Sequence, residues 1–353
     1  MDYAVKGVRD YRFSIIEEIV ERFNIDGIQL DFGRTAPFVS EPKGENGKFM
    51  TNYIRRIREF LDKTSIEKNR GKMLLGAILP RDYDFCLQQG LQVESWIKAG
   101  LVDYISPGEW YYADWNIPLK KWKDITTLSK CKLYPFTPGN VSPYQSFEYG
   151  EKSLLGENNV LDGPRIRAIA DNIMFQKPDG FAFYNFYTFD YGPYYPELRT
   201  WTNPSKTRQM SKHYYNCRKL LYHADERRTF DIGIAFERYP LKRMGDRIKI
   251  RFRFSSNIDS SPALVQCAFK NATEQDVIAV KLNNILLEPD SIRPKTVQPD
   301  SDEAFSALFW QSAIRMPPLK MGENCIEFEL KRHLSNTIAV KVGEFEILVE
   351  PGQ

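Results

Sequence analysis

Hydrophobic and polar positions follow two different patterns along the chain. In residues 1–225, stretches with helical spacing alternate with short continuous apolar runs. Residues 8–23 carry apolar side chains at helical spacing, and they lead into residues 25–32, a short apolar run with an acidic end. The same succession predicts helices over 46–62, 93–99, 118–128, 163–175 and 206–222, and strands over 73–80, 101–107, 132–138 and 180–187. Continuous apolar strands that alternate with helices are typical of a parallel sheet covered by helices.

From about residue 228 the apolar positions recur every second residue, as in the segment RIKIRFRFS at 247–255. This period indicates strands with one buried face. Seven such strands are predicted, at 229–236, 247–255, 263–270, 277–288, 309–316, 324–331 and 338–349. The pattern predicts two domains: a helix-covered parallel sheet over 1–225 and an antiparallel β-sandwich over 226–353.

Charge and composition exclude several classes of function. The 353 residues include 49 Lys and Arg against 46 Asp and Glu, a net charge of +3. This balance, without a zinc spacing or a recognition-helix pattern, argues against nucleic acid as a partner. No run of about 18 apolar residues is present, so no membrane-spanning helix is expected. The five Cys are scattered and predict neither a disulfide framework nor a metal site, and no cofactor motif appears.

Aromatic residues make up 14% of the chain, and their distribution is uneven. Five of the six Trp fall between residues 96 and 201. Flat apolar rings interleaved with polar groups form the kind of surface that binds a pyranose. We therefore expect the functional surface in this stretch.

Several segments carry a resemblance to a known family, beginning with residues 1–32, which resemble that family's approach to its fourth barrel strand. IDGIQLDFGR at 25–34, followed by MTNYIRRIREF at 50–60, resembles glycoside hydrolases of the family-10-like group, TIM barrels found beside polysaccharide-degrading genes in bacteria. Residues 78–109 resemble the fifth strand, the following helix and the sixth strand of that barrel. The resemblance extends to about residue 222. It implies an α/β fold that is the C-terminal half of a TIM (β/α)8 barrel, about five parallel strands, joined to the sandwich.

The resemblance makes the first predicted strand the fourth of the barrel, so strands one to three are missing. Five strands cannot close an eight-stranded cylinder, whose tilt and shear are linked. Either the sequence belongs to a longer barrel or an open sheet uses a partner, and self-association through the open sheet edges is expected. A longer protein with an upstream signal peptide would be secreted or periplasmic.

Reactive groups of such barrels lie at the C-terminal ends of the strands, and Asp31 is the clearest acid in that position. It ends an otherwise apolar strand, where a carboxylate is costly unless it is paired or used. Arg34 follows three residues later and is expected at the substrate site, where it holds Asp31 in the charged form of a nucleophile. The alternative is a plain Asp31–Arg34 salt bridge.

Glu109 ends another predicted strand and is followed by Trp110 and Tyr112. Desolvation among aromatic rings favours the protonated carboxyl, which suits a general acid. The alternative is an exposed loop glutamate whose aromatic neighbours pack elsewhere. Asp82 and Asp84, after the fifth barrel strand, are reserve candidates for the acid or for contacts to sugar hydroxyls.

The last strand of the parallel sheet supplies Tyr184, Asn185, Tyr187 and Asp190 as expected sugar-binding residues near the mouth of the sheet, although core packing explains part of this set. The leading hypothesis is a glycosidase that acts on a polysaccharide or oligosaccharide with Asp31 and Glu109 and without a cofactor or metal. The alternative is a non-catalytic carbohydrate-binding or scaffold protein with an inactive half-barrel.

Overall fold

The computed structural model describes residues 2–33, 38–39, 46–110, 113, 115–139, 161–184, 203–207, 210–215, 241–256, 258, 262–297, 305–334 and 338–350. The chain forms two compact units. Unit 1 comprises residues 1–110, 117–137 and 176–184, and unit 2 comprises residues 111–116, 138–175 and 185–353. The domain boundary predicted near residue 225 lies outside the described ranges and stays a prediction.

The first sheet confirms the predicted half-barrel of five parallel strands. Its strand order is β1-β2-β3-β5-β6, and β4 also pairs with β3. The strands are β1 (Gly27–Asp31), β2 (Leu74–Pro80), β3 (Tyr104–Gly108), β4 (Lys132–Leu133), β5 (Phe136–Pro138) and β6 (Ala182–Tyr184). The single strand predicted over 132–138 is therefore two short pieces, both of which run parallel to β3.

Five described helices join and cover these strands: α1 (Lys6–Arg22), α2 (Asn46–Glu67), α3 (Tyr83–Gln88), α4 (Val93–Lys98) and α5 (Lys120–Thr126). Two further described helices, α6 (Gly163–Phe175) and α7 (Pro204–Thr207), belong to unit 2. In α2, Ile54, Ile57 and Leu61 recur at three- and four-residue spacing and are completely buried, as the helical period requires. The short helix α3 was not predicted.

The N-terminal edge of the parallel sheet is held by carboxylates that stabilise it. Before β3, Asp103 accepts the backbone N–H of Leu75 at 2.8 Å. Before β6, Asp179 accepts the backbone N–H of Leu133 at 3.0 Å. These side chains complete the hydrogen bonding of neighbouring strand ends, which suits the stability face of a barrel-type sheet.

The parallel sheet is strongly curved. The hydroxyl of Tyr184 on β6 donates a hydrogen bond to Oδ2 of Asp31 on β1 at 3.0 Å. In a flat sheet the four intervals between these strands would separate them by about 19 Å, further than the two side chains reach together. The sheet therefore keeps barrel-like curvature, and its first and last strands meet through their side chains.

Unit 2 contains an antiparallel sandwich. One sheet has the order β11-β10-β14-β8 and the other β12-β13-β9-β15-β7. The strands are β7 (Lys212–Tyr215), β8 (Arg247–Phe254), β9 (Ala263–Lys270), β10 (Val277–Leu282), β11 (Ile285–Leu287), β12 (Ser291–Val297), β13 (Phe305–Ile314), β14 (Gly322–Arg332) and β15 (Lys341–Val349). The sheets share a core, because the rings of Phe252 and Phe345 lie 5.2 Å apart and those of Phe269 and Phe328 lie 5.6 Å apart.

Part of the predicted pattern in this region is wrong. The helix expected over 206–222 is replaced by α7, which ends at Thr207, and by β7. Strand β7 pairs with β15, and its Tyr214 ring packs 4.9 Å from Phe254 in the sandwich core. His213, which the predicted helix would have carried, therefore lies on β7. The physical reason is that pairing with a distant strand outweighs local helical spacing.

Two further differences concern β10 to β12. The strand predicted over 277–288 is a hairpin, because Asn283 and Asn284 take positive φ values of 50° and 69° and turn the chain between β10 and β11. Strand β12 was not predicted. The strand predicted over 229–236 lies outside the described residues.

Helix α6 contacts the sandwich, although its position in the sequence suggested that it covers the parallel sheet. The Asn172 amide donates to the carbonyl oxygen of Arg253 on β8 at 2.7 Å. Asp171 forms a buried ion pair with Lys212 on β7 at 3.1 Å. These contacts place α6 in unit 2. Among the helices of the described chain, none is long and apolar enough to cross a membrane.

Candidate functional site

Register fixes which residues share the inner face of the curved sheet. Asp31 on β1 is level with Ile78 on β2, and Ile78 is level with Ser106 on β3. Two residues further along, Gly108 on β3 is level with Phe136 on β5. Because side chains alternate between faces, these residues line one side of the sheet at its C-terminal end.

The Asp31 carboxylate is exposed, and both of its oxygens accept hydrogen bonds. Oδ1 accepts the backbone N–H of Gly33 at 2.7 Å, and Oδ2 accepts the hydroxyl of Tyr184 at 3.0 Å. One donor comes from the turn after β1 and the other from the opposite edge of the sheet. The two bonds fix the orientation of the carboxylate and leave it open to solvent.

Trp110 lies across the end of the sheet, two residues beyond β3. A Cβ atom on Gly33 would come within 1.9 Å of the indole, so the ring rests directly on the Gly33 backbone. The same ring packs edge-on against Phe136 with centroids 5.3 Å apart. The side chain is buried, and its indole N–H has no hydrogen-bond partner among the residues that the structure describes.

These contacts form a closed circuit, which we call the mouth cluster: Asp31, Gly33, Trp110, Phe136 and Tyr184. The circuit closes because the rings of Phe136 and Tyr184 lie 5.4 Å apart. Its members come from β1, β3, β5 and β6 and from the turns that follow them. It combines one accessible carboxylate with three aromatic rings, the combination that a sugar site needs.

Glu109 lies beside the cluster and is buried, with 8% of its surface exposed. Its Oε1 accepts the backbone N–H of Trp110 at 2.9 Å. The register places Asp31 level with Ser106, three residues before Glu109. At about 3.3 Å per residue, the two acids are staggered by roughly 10 Å along the strand direction. The pairing of Asp31 with Glu109 stays a prediction.

Asp82 has a structural role. Its Oδ1 accepts the backbone N–H of Phe85 at 2.9 Å, which makes it the N-cap of α3. Asp84 is exposed in the first turn of the same helix. The contacts of Asp82 explain its position after β2 without a ligand.

Several residues predicted at the site lie outside the described residues: Arg34, Tyr112, Asn185, Tyr187 and Asp190. Tyr184 and Trp110 are in the mouth cluster, as their sequence neighbourhood suggested. Gly33 and Phe136 were not singled out. The signal for Gly33 was its place two residues after the strand-ending acid, and Phe136 carried no signal beyond its strand pattern. No group of three or more His, Cys, Asp or Glu residues within the described ranges is arranged to hold a metal ion.

No protein-family model and no curated protein sequence matches the chain. Among solved structures, the chain is similar to a β-porphyranase of glycoside hydrolase family 86 from the human gut bacterium Bacteroides plebeius. The identity is 10%, the TM-score 0.26, and the match covers 90% of this chain and 76% of that one. It is also similar to a two-domain esterase active on acetylated mannans, co-crystallised with mannopentaose, with 9% identity, a TM-score of 0.21 and 97% and 96% coverage. Likenesses at these TM-scores establish neither the fold nor the activity of this chain.

Proposed function

We propose that the chain is a glycosidase-type protein, related to the family-10-like group that its sequence resembles, which hydrolyses a glycosidic bond at the mouth cluster. The observation that carries this proposal is the Asp31 carboxylate, which is exposed yet held by two donors from opposite edges of the sheet. A catalytic carboxylate must be accessible and fixed in position, because misplacement of the reacting group is costly.

The aromatic members of the cluster support a sugar as the substrate. The rings of Trp110, Phe136 and Tyr184 meet within a few ångströms of one another beside the carboxylate. A pyranose presents apolar C–H faces and polar edges, which match ring faces and hydrogen-bonding groups.

In this proposal Asp31 acts as the nucleophile or base and Glu109 as the general acid. The distance between the two carboxyl groups would decide the stereochemical outcome: about 5–5.5 Å suits retention through a covalent intermediate, and about 6.5–9.5 Å suits inversion with a water molecule between them.

The test is hydrolysis of plant and algal polysaccharides by the full chain and by two matched variants. Asp31→Asn should abolish turnover with little change in melting temperature. Asp124→Asn makes the same chemical change at an exposed acid on α5 and should keep full activity. NMR of the released sugar reports the anomeric outcome.

The buried Glu109, whose Oε1 is bonded to the Trp110 backbone, favours the alternative of a non-catalytic glycan-binding protein. If that alternative is correct, the chain binds a glycan but does not hydrolyse it. Full activity of Asp31→Asn would instead remove Asp31 from the mechanism.

A further inference from the structure

A groove on the sandwich is independent of the mouth cluster. It lies on the face of β12, β13 and β9 that points away from the sandwich core, and its volume is about 360 Å³. The side chains that matter for its chemistry are Gln266, Ser291, Arg293, Lys295, Phe309 and Gln311. All of these residues belong to unit 2.

Alternation along β13 and β9 separates this face from the core. Trp310 pairs with Cys267, and both are buried in the sandwich. Their neighbours Phe309, Gln311 and Gln266 are only partly buried, because they point to the other side. Nearer the other edge of the sheet, this outer face is closed, since Tyr215 and Glu346 are buried. The open part of the face is therefore limited to the end formed by β9, β13 and β12.

The groove is positively charged. Among the described residues that line it, Arg293 and Lys295 are charged and none is an aspartate or glutamate. Neither cation is within ion-pair distance of a carboxylate in the part of the chain that the structure describes. On the other sheet of the sandwich, by contrast, Lys249 pairs with Glu327 at 3.0 Å. The two cations of the groove thus create an unbalanced charge that an anion complements.

The arginine is held in place for recognition of an anion. Its Nε donates to the Ser291 hydroxyl at 3.1 Å, and one Nη donates to the Gln311 amide oxygen at 3.3 Å. These bonds use two of the five N–H donors of a guanidinium, and the remaining donors suit a carboxylate or a sulfate. Lys295 extends over the same groove, with its Nζ 6.0 Å from the centre of the Phe309 ring.

Phe309 adds an aromatic surface next to these cations. Its ring is partly exposed between the charged strand β12 and the amide of Gln266 on β9. One aromatic ring, two cations and two amides within one groove fit a single acidic sugar better than a long polyanion, which needs an extended basic surface. The near-neutral net charge of the whole chain also argues against a long polyanion as the ligand.

We propose that this groove binds a negatively charged sugar residue of a glycan, a uronate or a sulfate ester, with Phe309 against the sugar ring and Arg293 and Lys295 on the acidic group. The site does not depend on chemistry at Asp31. It would hold an acidic glycan on the sandwich whether or not the parallel sheet hydrolyses one.

The test is isothermal titration calorimetry with the full chain in an Asp31→Asn background, so that binding is measured without turnover. The probes are tetragalacturonate, a sulfated galactan tetrasaccharide and the same galactan after desulfation. Binding of either acidic probe, with at least about tenfold weaker binding of the neutral one, is expected from charge-assisted hydrogen bonds. The two acidic probes distinguish a carboxylate from a sulfate.

The charge variant is Arg293→Gln with Lys295→Gln, and we expect it to weaken acidic-probe binding by about tenfold or more. Its matched control is Lys242→Gln with Arg243→Gln, which removes one lysine and one arginine from an exposed turn before β8. Phe309→Ala should weaken binding as well, and circular dichroism checks its folding. If Phe309→Ala does not fold, the test of the proposal rests on the charge variant alone.

Three results would overturn the proposal. The first is no measurable binding of either acidic probe, in which case the cations of β12 only protect an edge strand from pairing. The second is equal weakening by the control variant or equal affinity for the desulfated galactan. The third is tighter, groove-dependent binding of a single-stranded oligonucleotide of equal charge, which would assign the groove to nucleic acid.

Discussion

At the scale of single residues, the candidate site depends on side chains that only the folded sheet brings together. Asp31 was identifiable from the sequence, because an acid at the end of an apolar strand requires an explanation. Its hydroxyl partner Tyr184 is 153 residues away, and the contact depends on the curvature of the sheet. Trp110 and Tyr184 were expected at the site, whereas their joint contact with Phe136 was not. Local sequence does not encode such ring contacts.

The hydroxyl of Tyr184 should matter for activity more than for stability. Tyr184→Phe removes one hydrogen bond to Asp31, worth about 0.5–1.5 kcal/mol, and frees the carboxylate to rotate. Tyr83→Phe is the matched control, because the Tyr83 hydroxyl donates to Glu94 at 3.0 Å. Burial and this partner raise the pKa of Tyr83 to about 12, so its hydroxyl stays protonated. Urea unfolding should show a similar loss in the free energy of unfolding for both variants, and only Tyr184→Phe should reduce the turnover rate. Equal turnover in both variants would contradict this prediction.

Gly33 should not accept a side chain. In Gly33→Ala the new methyl group meets the Trp110 indole, so the ring must move, at a cost of about 1–3 kcal/mol. Gly71→Ala is the control, since nothing lies within 4 Å of its added Cβ atom. Fluorine NMR of 5-fluorotryptophan protein, assigned with Trp110→Phe, should show the Trp110 signal shifted in Gly33→Ala only. An unshifted signal would mean that the indole does not rest on Gly33.

A histidine in the sandwich should make stability depend on pH. Nδ1 of His333 lies 2.8 Å from Oδ1 of Asp276. Burial opposes the charge on both groups, but hydrogen bonds outweigh it, so the pKa of His333 is raised and the pKa of Asp276 is lowered. The contribution of His333 to the free energy of unfolding is fully present below its unfolded pKa of about 6.5, and it is lost as pH rises through the folded pKa. The aspartate contribution is present above about 3.9 and is lost as pH falls through its folded pKa.

A double-mutant cycle measures this pair. With His333→Gln, Asp276→Asn and the double variant, the coupling in the free energy of unfolding should be larger at about pH 6 than at about pH 9. The cycle cancels the loss of the other hydrogen bonds that Asp276 accepts, such as the one from the Thr273 backbone. A coupling that does not change with pH would mean that His333 does not change its charge between these two pH values.

At the scale of helices and strands, periodicity predicted most elements because it reports burial directly. The helix predicted over 163–175 has those bounds as α6, and the strand predicted over 73–80 is β2 at Leu74–Pro80. Strand β7 was missed because β15, its partner, lies more than a hundred residues later, and pairing is invisible in a local window. For the same reason the packing of α6 against the sandwich could not be predicted.

Two substitutions at Asp82 distinguish an N-cap role from a sugar-binding role. Asp82→Ala removes the side-chain acceptor and should cost about 1 kcal/mol in the free energy of unfolding, whereas Asp82→Asn keeps a good N-cap without the charge and should cost little. Thermal unfolding measures both. If Asp82→Asn keeps its stability but loses glycan binding or turnover, Asp82 also contacts the sugar, as its position after β2 suggested.

At the scale of the whole molecule, the half-barrel leaves strand β1 paired only with β2 among the described strands. The backbone groups on its free edge offer a template for another chain. We predict self-association at micromolar concentration, measured by light scattering. Gln29→Lys places a charge on the exposed inner side of β1 and should reduce it, whereas Gln275→Lys on an exposed turn of the sandwich should not. A sharp monomer for the unmodified chain would contradict the prediction.

The hydrogen bond between Asp31 and Tyr184 also has a consequence during synthesis. The ribosome makes about 5–20 residues per second, so the 153 residues between the two partners take roughly 8–30 s to appear. Throughout that time Asp31 lacks the Tyr184 hydroxyl as a hydrogen-bond donor, and Trp110 and Phe136 lack the third aromatic ring of the mouth cluster. The nascent chain therefore carries an unfinished site, and any sugar chemistry at Asp31 begins only after β6 has joined the sheet.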